Sequence, residues 1–429
     1  MKKKYRIILY TSIFLLCVVA SIILVVKKSN SVYEEESKPK VVKHKSMLSM
    51  NLEQTAGFGD YKTVTQSSWP TEGYKFNAEL SRCENGSTLS WDDTKKAVIV
   101  SGNLSDKCYV YFDIYQPTLA EYIKSQYTGT QGENNIYYHD SDLANGAGDN
   151  SYRYAGANPN NFVCFGSDTS PCPTDNLYRI IGVFGENYHG VTGKQLVKLI
   201  KYDYMTTDEL GTDGDYSQTY KEWGMDSTYK GTYGDGERIG VYYWNYKATG
   251  SVTNTWSTSL LNKTNLNTNF INNIGTTWAN KIATVTWKVG GNTYANISDV
   301  VPATTYQNEI VNPVTTNTTD NATTYSAKIG LMYVSDYGFA ASPDAWTLTM
   351  SSYNNTTAKN NNWMYMGLYE WTISRSADNS NYAFFVLNDG CVNYYDVNFN
   401  IGVRASFSLE SSVSYVSGSG SMSDPIVIN

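Results

Sequence analysis

The chain of 429 residues carries 33 Lys/Arg against 40 Asp/Glu, a formal net charge of −7, with 37 Tyr and 10 Trp but only 3 His and 6 Cys. Ten of the basic residues but only three of the acidic ones fall in residues 1–45, leaving 23 basic and 37 acidic residues beyond them, net −14. That balance excludes the basic footprint of a nucleic-acid binder, while the length suffices for one large domain with a small companion, and the wealth of Tyr, Thr and Asn predicts a β-rich chain with a polar surface.

In "MKKKYRIILYTSIFLLCVVASIILVVKKSN" an uncharged apolar run from Ile7 to Val26 lies between two basic clusters. Twenty residues rising ~1.5 Å each span ~30 Å, the thickness of a bilayer's hydrocarbon core. The expectation is a membrane anchor over residues 1–28, longer than a signal peptide's apolar region, although Ala20-Ser21 leaves cleavage open. Lys2, Lys3, Lys4 and Arg6 outweigh Lys27 and Lys28, which places the N-terminus in the cytoplasm and the rest outside, in a single pass of the cell membrane. Cys17 reads as a small apolar membrane residue.

Residues 29–68 mix Lys, Glu, Ser and Gln with few aliphatics and read as a polar stalk that packs no core. Over 69–115, short alternating runs are separated by "ENGS", "DDTKK" and "GNLSD", each a turn signal, which predicts a small antiparallel β-meander. Cys83 and Cys108 bracket this module, and Cys164 and Cys172 bracket "CFGSDTSPC". Three connectivities are open to these four, and local pairing within each bracket closes the shortest loops in an oxidising exterior. Cys391 is left over and reads as a buried free thiol.

Pro117 stands just inside a helix over "PTLAEYIKSQY", where Leu119, Tyr122 and Ile123 recur at helical spacing; residues 116–173 otherwise read as a loop-rich connector. A larger domain is expected over 174–429, opening on a hairpin in which "QLVKLIKYDY" answers "DNLYRIIGVF". "NTWSTSLLNKTNLNTNFINNIG" supplies two short helices, the first capped by Ser257 or Thr258 and the second by Asn267, with Phe270, Ile271 and Ile274 on one face and Gly275 at the end. "NPVTTNTTDNATTY" reads as a polar insertion loop, and "AKIGLMYVSDYGFAA" as a strand ending at Ser335, the N-cap of a further helix.

The last third reads as strands. In "WMYMGLYEWTI" the residues Trp363, Tyr365, Tyr369, Trp371 and Ile373 share a face by alternation, and "YAFFVL" is apolar on both faces, as a central strand is. In "GVRASFSL" Val403, Ala405, Phe407 and Leu409 face one way and Arg404, Ser406 and Ser408 the other. Trp363 and Trp371 are thus expected as framework, with Glu370 and Arg404 as candidate partners in a structural ion pair across the sheet. "YVSGSGSMSDPIVI" closes the chain as an edge hairpin.

The order "LYEWT", a strand ending in Asp389-Gly390, then "GVRAS" resembles the framework of the formylglycine-generating enzyme and sulfatase-modifying family, whose domain is a variant of the C-type lectin fold. With the "W-x-x-S-x-L" helix at Trp256, the "SDPIVI" tail, "DKCYVYFD" and "DNLYRIIGVF", it is similar to lectin-fold domains of bacterial surface proteins over residues 75–429. The fold implied is α+β: a C-type-lectin-like C-terminal domain, a twisted antiparallel sheet with short helices and long loops, after the small β module and the transmembrane helix. The family's enzymes use a pair of copper-binding cysteines near this strand, and only Cys391 stands here, so the resemblance does not carry the activity. Some of the surface proteins open with a pilin-type leader, which this apolar run lacks.

Nucleophilic catalysis needs a positioned base, and the three histidines, His44 in the stalk, His139 in a loop and His189 in a hairpin turn, sit in no such context. Nothing singles out a pair of carboxylates for glycoside hydrolysis. No cofactor is implied. Calcium is the one ion with candidate loops, Asp140 to Asp149 and Asp213 to Asp215, neither of which fits the twelve-residue calcium pattern. Asn388 and Asp389 distantly resemble the Trp-Asn-Asp string of sugar-binding lectins, and Tyr394 and Tyr395, pointing to opposite faces of a strand, offer one flat ring for stacking on a sugar or peptide. The expected function is non-enzymatic binding of an extracellular glycan or protein, or adhesion; the alternatives are a structural envelope or pilus-associated component and an unrecognised enzyme.

Overall fold

A computed structural model describes residues 48–65, 68–71, 73–103, 105–185, 193–212, 217–219, 230, 239–247, 250–313 and 323–429. The apolar run from Ile7 to Val26, His44, His189, the Asp213 to Asp215 loop and most of the 312–325 insertion lie outside them. Among the described residues no helix is long and apolar enough to cross a membrane. The chain is mixed α+β, mostly sheet, in two compact units divided between Gln116 and Pro117.

The smaller unit is built from β1 (Leu48–Glu53), β2 (Tyr61–Val64), β3 (Tyr74–Cys83), β4 (Thr88–Asp92), β5 (Ala97–Ser101) and β6 (Cys108–Ile114). β1 and β2 come from the segment read as stalk, and the reason is local. "LSMNLE" alternates at the strand period, burying Met50 and Leu52, whereas the forty-residue average is polar. The sheet runs β2-β1-β6-β3, with β1 parallel to β6, and β4–β5 forms a separate hairpin, so the module is not a meander. Phe112 packs edge-on against Phe76 and Trp91 and tilted on Trp69, and the Cys83–Cys108 disulfide joins residues directly opposite in β3 and β6.

The larger unit has two main sheets. The first contains β7 (Ile136–His139), β8 (Ser151–Tyr154), β9 (Phe162–Cys164), β10 (Leu177–Phe184) and β11 (Leu196–Lys201). The second draws on β12 (Ser217–Thr219) and β13 (Gly240–Tyr242), after which β14 (Val285–Lys288) and β15 (Thr324–Ala327) pair as a ribbon. β16 (Ile329–Gly330) returns to the first sheet and β17 (Glu370–Arg375), β18 (Tyr382–Val386), β19 (Val392–Asp396) and β20 (Ile401–Gly402) to the second. β21 (Ser406–Ser408) closes the first sheet, and β22 (Tyr415–Ser417) with β23 (Val427–Ile428) makes the terminal hairpin. The orders are β16-β21-β11-β10-β8-β7, with β9 also on β10, and β12-β13-β20-β17-β18-β19, where β17 and β20 run parallel.

Residues 116–173 are therefore not a connector, because β7, β8 and β9 are integral to the first sheet. Their short runs are hidden by intervening polar turns, including Asn134, Asn135, Asn145 and Asn150 at φ near +58°, a conformation Asn tolerates. Thr118, not Pro117, begins the helix Leu119–Ser125, its hydroxyl accepting from the Glu121 N–H while Glu121 accepts from the Thr118 N–H. In the helical run after Trp256 the cap is the Ser259 hydroxyl, which accepts from the Asn262 N–H; Asn267 instead bonds the backbone of Ile329, and Gly275 at φ +76° ends the run Leu261–Asn273. Ser335 lies inside the helix Val334–Phe339, whose start is fixed by Asp336 accepting from the Tyr333 N–H.

β10 and β18 are buried along nearly their whole lengths because each separates two core clusters. β10 sends Tyr178, Ile180 and Val183 to one and Ile181 and Phe184 to the other; Phe385 and Phe384 of β18 divide likewise. The aromatic face expected over 363–373 is broken by Gly367 at φ +89°. Only Glu370–Arg375 is strand, and Trp363 and Trp371 belong to different clusters. The two disulfides, Cys83–Cys108 and Cys164–Cys172, span 25 and 8 residues. On loop closure alone, replacing the first pair by Ser should cost about 3.5 kcal/mol and the second about 2.5 kcal/mol, to be read from urea unfolding of each double variant.

Candidate functional site

The sequence of β10, "LYRIIGVF", places one charge in an apolar strand. Arg179 stands directly opposite Phe162 of β9, so both side chains leave the same face, and Trp363 closes the other side. The guanidinium lies 4.3 Å from the Phe162 ring centre and 4.7 Å from that of Trp363. Its Nε donates to Asn161 Oδ1 at 2.7 Å, Nη2 to the Pro159 carbonyl at 3.1 Å and Nη1 to the Trp363 carbonyl at 3.5 Å. Asn161 is itself fixed by donating to the Ile180 carbonyl. Among the described residues no carboxylate pairs with Arg179. Burial lowers its pKa, opposed by Tyr202 and aided by the charge of Arg404, yet a guanidinium stays charged at neutral pH.

Arg179 lies on the floor of an open cavity of about 400 Å³, walled by Phe162, Tyr202, Trp363 and Met366 and rimmed by Asn158, Asn160, Met422 and Lys230. Lys230 Nζ donates to the Asn362 carbonyl and stands 5.0 Å from the Tyr365 ring centre. Burial, then the charges of Arg179, Lys359 and Arg404, push its pKa down to about 8. The cavity combines flat aromatic and thioether walls, amide groups and two cations, the composition of a pocket for a ligand with an apolar face and an anionic group.

Alongside it lies the Glu370–Arg404 pair. Arg404 Nε donates to Glu370 Oε1 at 2.8 Å, Nη2 to the Met364 carbonyl at 2.6 Å and Nη1 to the Tyr202 carbonyl at 3.4 Å, all buried. Burial raises the Glu370 pKa and Arg404 pulls against it.

The other sequence candidates lie elsewhere. None of Tyr394, Tyr395, Asn388 and Asp389 lines the cavity. Tyr395 is 44% exposed with its ring 4.3 Å from Phe399, whereas Tyr394 packs on Tyr382 and Tyr294. The Asn388 carbonyl accepts from the Tyr365 hydroxyl and Asp389 from the Cys391 N–H, so both hold a turn. Cys391 is half-buried, and burial pushes its thiol up to about 11, away from thiolate.

His139 ends β7 fully buried, its Nδ1 accepting from the Ala147 N–H. Burial, with Arg153 adding, pulls it down to about 3, a neutral packed ring. In the Asp140 to Asp149 loop Asp140 accepts from the amides of Asp142 and Leu143 while Asp149 pairs with Arg153, and among the described residues no three acidic, His or Cys side chains gather as metal ligands.

Comparison of the chain with protein-family models, with curated proteins and with solved structures finds no match. The site therefore has to be judged on its own chemistry. Arg179, Asn161 and Lys230 were not among the sequence candidates. The signal that points to Arg179 is a lone charge amid seven uncharged, mostly apolar residues, which demands a purpose-built environment. Glu370→Ala, which leaves Arg404 buried without its carboxylate, should lower stability by about 3–5 kcal/mol, while an Arg404→Met/Glu370→Met double change should cost less; urea titration of both variants checks this.

Proposed function

We propose that this is a membrane-anchored cell-surface protein that captures an extracellular glycan or peptide, without chemically altering it, in the pocket over Arg179. The observation that carries the proposal is a buried guanidinium held by two aromatic rings, an amide and two carbonyls, with no carboxylate against it among the described residues. Such a group supplies permanent positive charge but no titrating proton, which suits recognition better than acid–base chemistry. The membrane anchor rests on the Ile7 to Val26 run. A C-type-lectin-like architecture for the larger unit rests on the order of "LYEWT", Asp389-Gly390 and "GVRAS"; β17, which holds Glu370, neighbours both β18 and β20. A fold of that kind hosts many activities, so the ligand class is drawn from the pocket and not from the fold.

Residues 46–429, offered to glycan and peptide arrays with and without calcium, should retain acidic ligands. Lys230→Glu and Trp363→Ala should each weaken retention by about tenfold, the worth of one charge-assisted or stacking contact, and Tyr395→Ala should leave it unchanged. Lys230 is an ammonium below its pKa of about 8, so its contribution is present at lower pH and fades as pH rises through 8. Loss of retention in Tyr395→Ala alone would move the site to β19. No retention in any condition, with filaments of the chain visible by electron microscopy, would favour an envelope or pilus-associated component instead.

A further inference from the structure

A second constellation lies in the larger unit, and none of its residues lines the pocket. Gly182 of β10 is opposite Lys198 of β11 on one side and Arg153 of β8 on the other, so the two cations flank a residue with no side chain. Only glycine fits there: a Cβ would meet the Tyr152 carbonyl oxygen at 2.2 Å. Both cations reach Asp336, on the helix Val334–Phe339. Lys198 Nζ lies 2.5 Å from Asp336 Oδ2, and Arg153 Nη1 lies 3.6 Å from Asp336 Oδ1. These last two atoms are buried and have no hydrogen-bond partner among the described residues. Glu309, fully buried, accepts from the N–H of Ser335, the residue before Asp336, and from the Ser374 hydroxyl, close enough for its charge to act on both Asp336 and Lys198. The amine is walled by the rings of Tyr333, Trp287 and Phe184 at 4.4, 5.2 and 5.9 Å, with a gap of only about 10 Å³ beside it.

An ion pair this deep has little to gain from staying charged, since desolvation offsets most of its attraction. The same atoms, after one proton passes along the short hydrogen bond, are a free amine beside a carboxylic acid. We propose that Lys198 and Asp336 condense into an intramolecular amide that straps β11 to the helix Val334–Phe339, with Arg153 holding the oxyanion and Glu309 carrying the protons.

The step balances without any outside reagent. Nζ gives its electron pair to Cγ of Asp336, and Oδ1 takes up the negative charge facing Arg153 Nη1, a preorganised donor where charge develops. Glu309 accepts a proton from the nitrogen and returns it to Oδ2, which departs as water. One C–N bond forms, one C–O bond breaks, and nothing is oxidised or reduced. Burial raises the Glu309 pKa to about 7, which leaves it able both to hold and to release a proton near neutrality, and burial lowers that of Lys198 toward the free amine. Asp336 is held low by Lys198 and Arg153 in spite of its burial, so the acid form arises through transfer within the pair. Fixed contact between the two groups replaces a bimolecular encounter, and effective molarities of about 10⁵ M or more are reached in such arrangements.

The test is a peptide map of the full-length chain, reduced, denatured and digested with trypsin. The expected product is peptide 195–201, uncut after Lys198, joined to peptide 329–359 and lighter than their sum by one water. Cleavage after Lys198 at full yield, with an unmodified 329–359 peptide, would overturn the proposal and leave an ordinary ion pair. Lys198→Ala should abolish the joined product. Glu309→Gln, which keeps the side chain's shape, should fold with an unchanged circular dichroism spectrum yet yield a cleavable Lys198, and Glu309→Asp should restore part of the link. A fully linked Glu309→Gln chain would overturn the role given to Glu309.

Discussion

Arg404 cannot be taken out of water alone, since the effective penalty for an unpaired buried ion is several kcal/mol, and much of the larger unit is arranged to meet that constraint. Its three hydrogen-bond partners among the described residues come from three places. Glu370 is the first residue of β17 in the second sheet, Tyr202 follows β11 of the first, and Met364 belongs to the segment before Gly367. One guanidinium thus pins the two sheets and the intervening chain with directional bonds that apolar packing could not supply. Trp363, whose ring covers Arg179, is the neighbour of Met364. The pocket wall therefore depends on a charge pair that does not itself line the pocket.

The unit holds its buried cations in two distinct ways, and the difference has functional weight. Arg404, Arg153 and Lys198 each meet a carboxylate, at 2.8, 2.7 and 2.5 Å. Among the described residues Arg179 meets only rings, an amide and carbonyls. Carbonyl oxygens and π-faces offset desolvation without cancelling the charge, so positive potential survives at the cavity floor, in a setting less screened than water. Where a carboxylate is absent from such a setting, a ligand can supply it.

Legibility in the sequence followed the range of the interactions involved. The β10–β11 hairpin, the central place of "YAFFVL", the terminal hairpin and both disulfides were readable because each depends on local patterning or short loops. The β-rich character followed from composition, whereas α+β was what the family resemblance implied. β1 and β2 were lost to averaging over a polar segment, and β7 to β9 to strands only three or four residues long between Asn- and Gly-rich turns. The shared aromatic face failed on one glycine, Gly367, whose positive φ no alternation count registers. The Glu370 and Arg404 contact was open to guess because both are charges in apolar surroundings, although Arg404 lies in the link between β20 and β21 and not in a strand. The pocket was not, since its residues span Ala157 to Met422 and meet only through sheet order.

Sheet register also explains why charge gathers where it does. Ile200 and Lys198 share a face of β11, Arg179 is opposite Ile200, and Arg153 is brought beside Lys198 by the register at Gly182. Three cations thus leave one face of the first sheet, which must be covered by something able to answer them. The helix Val334–Phe339 brings Asp336, and the turn before β8 brings Asp149. While Lys198 and Asp336 stay ionic, the folded unit holds two charges out of water. Condensation removes both charges, leaves Arg153 to Asp149, and makes the covering helix a covalent part of the sheet. A link at that position would also stiffen β10, because β10 is hydrogen-bonded to the strapped strand and carries Arg179.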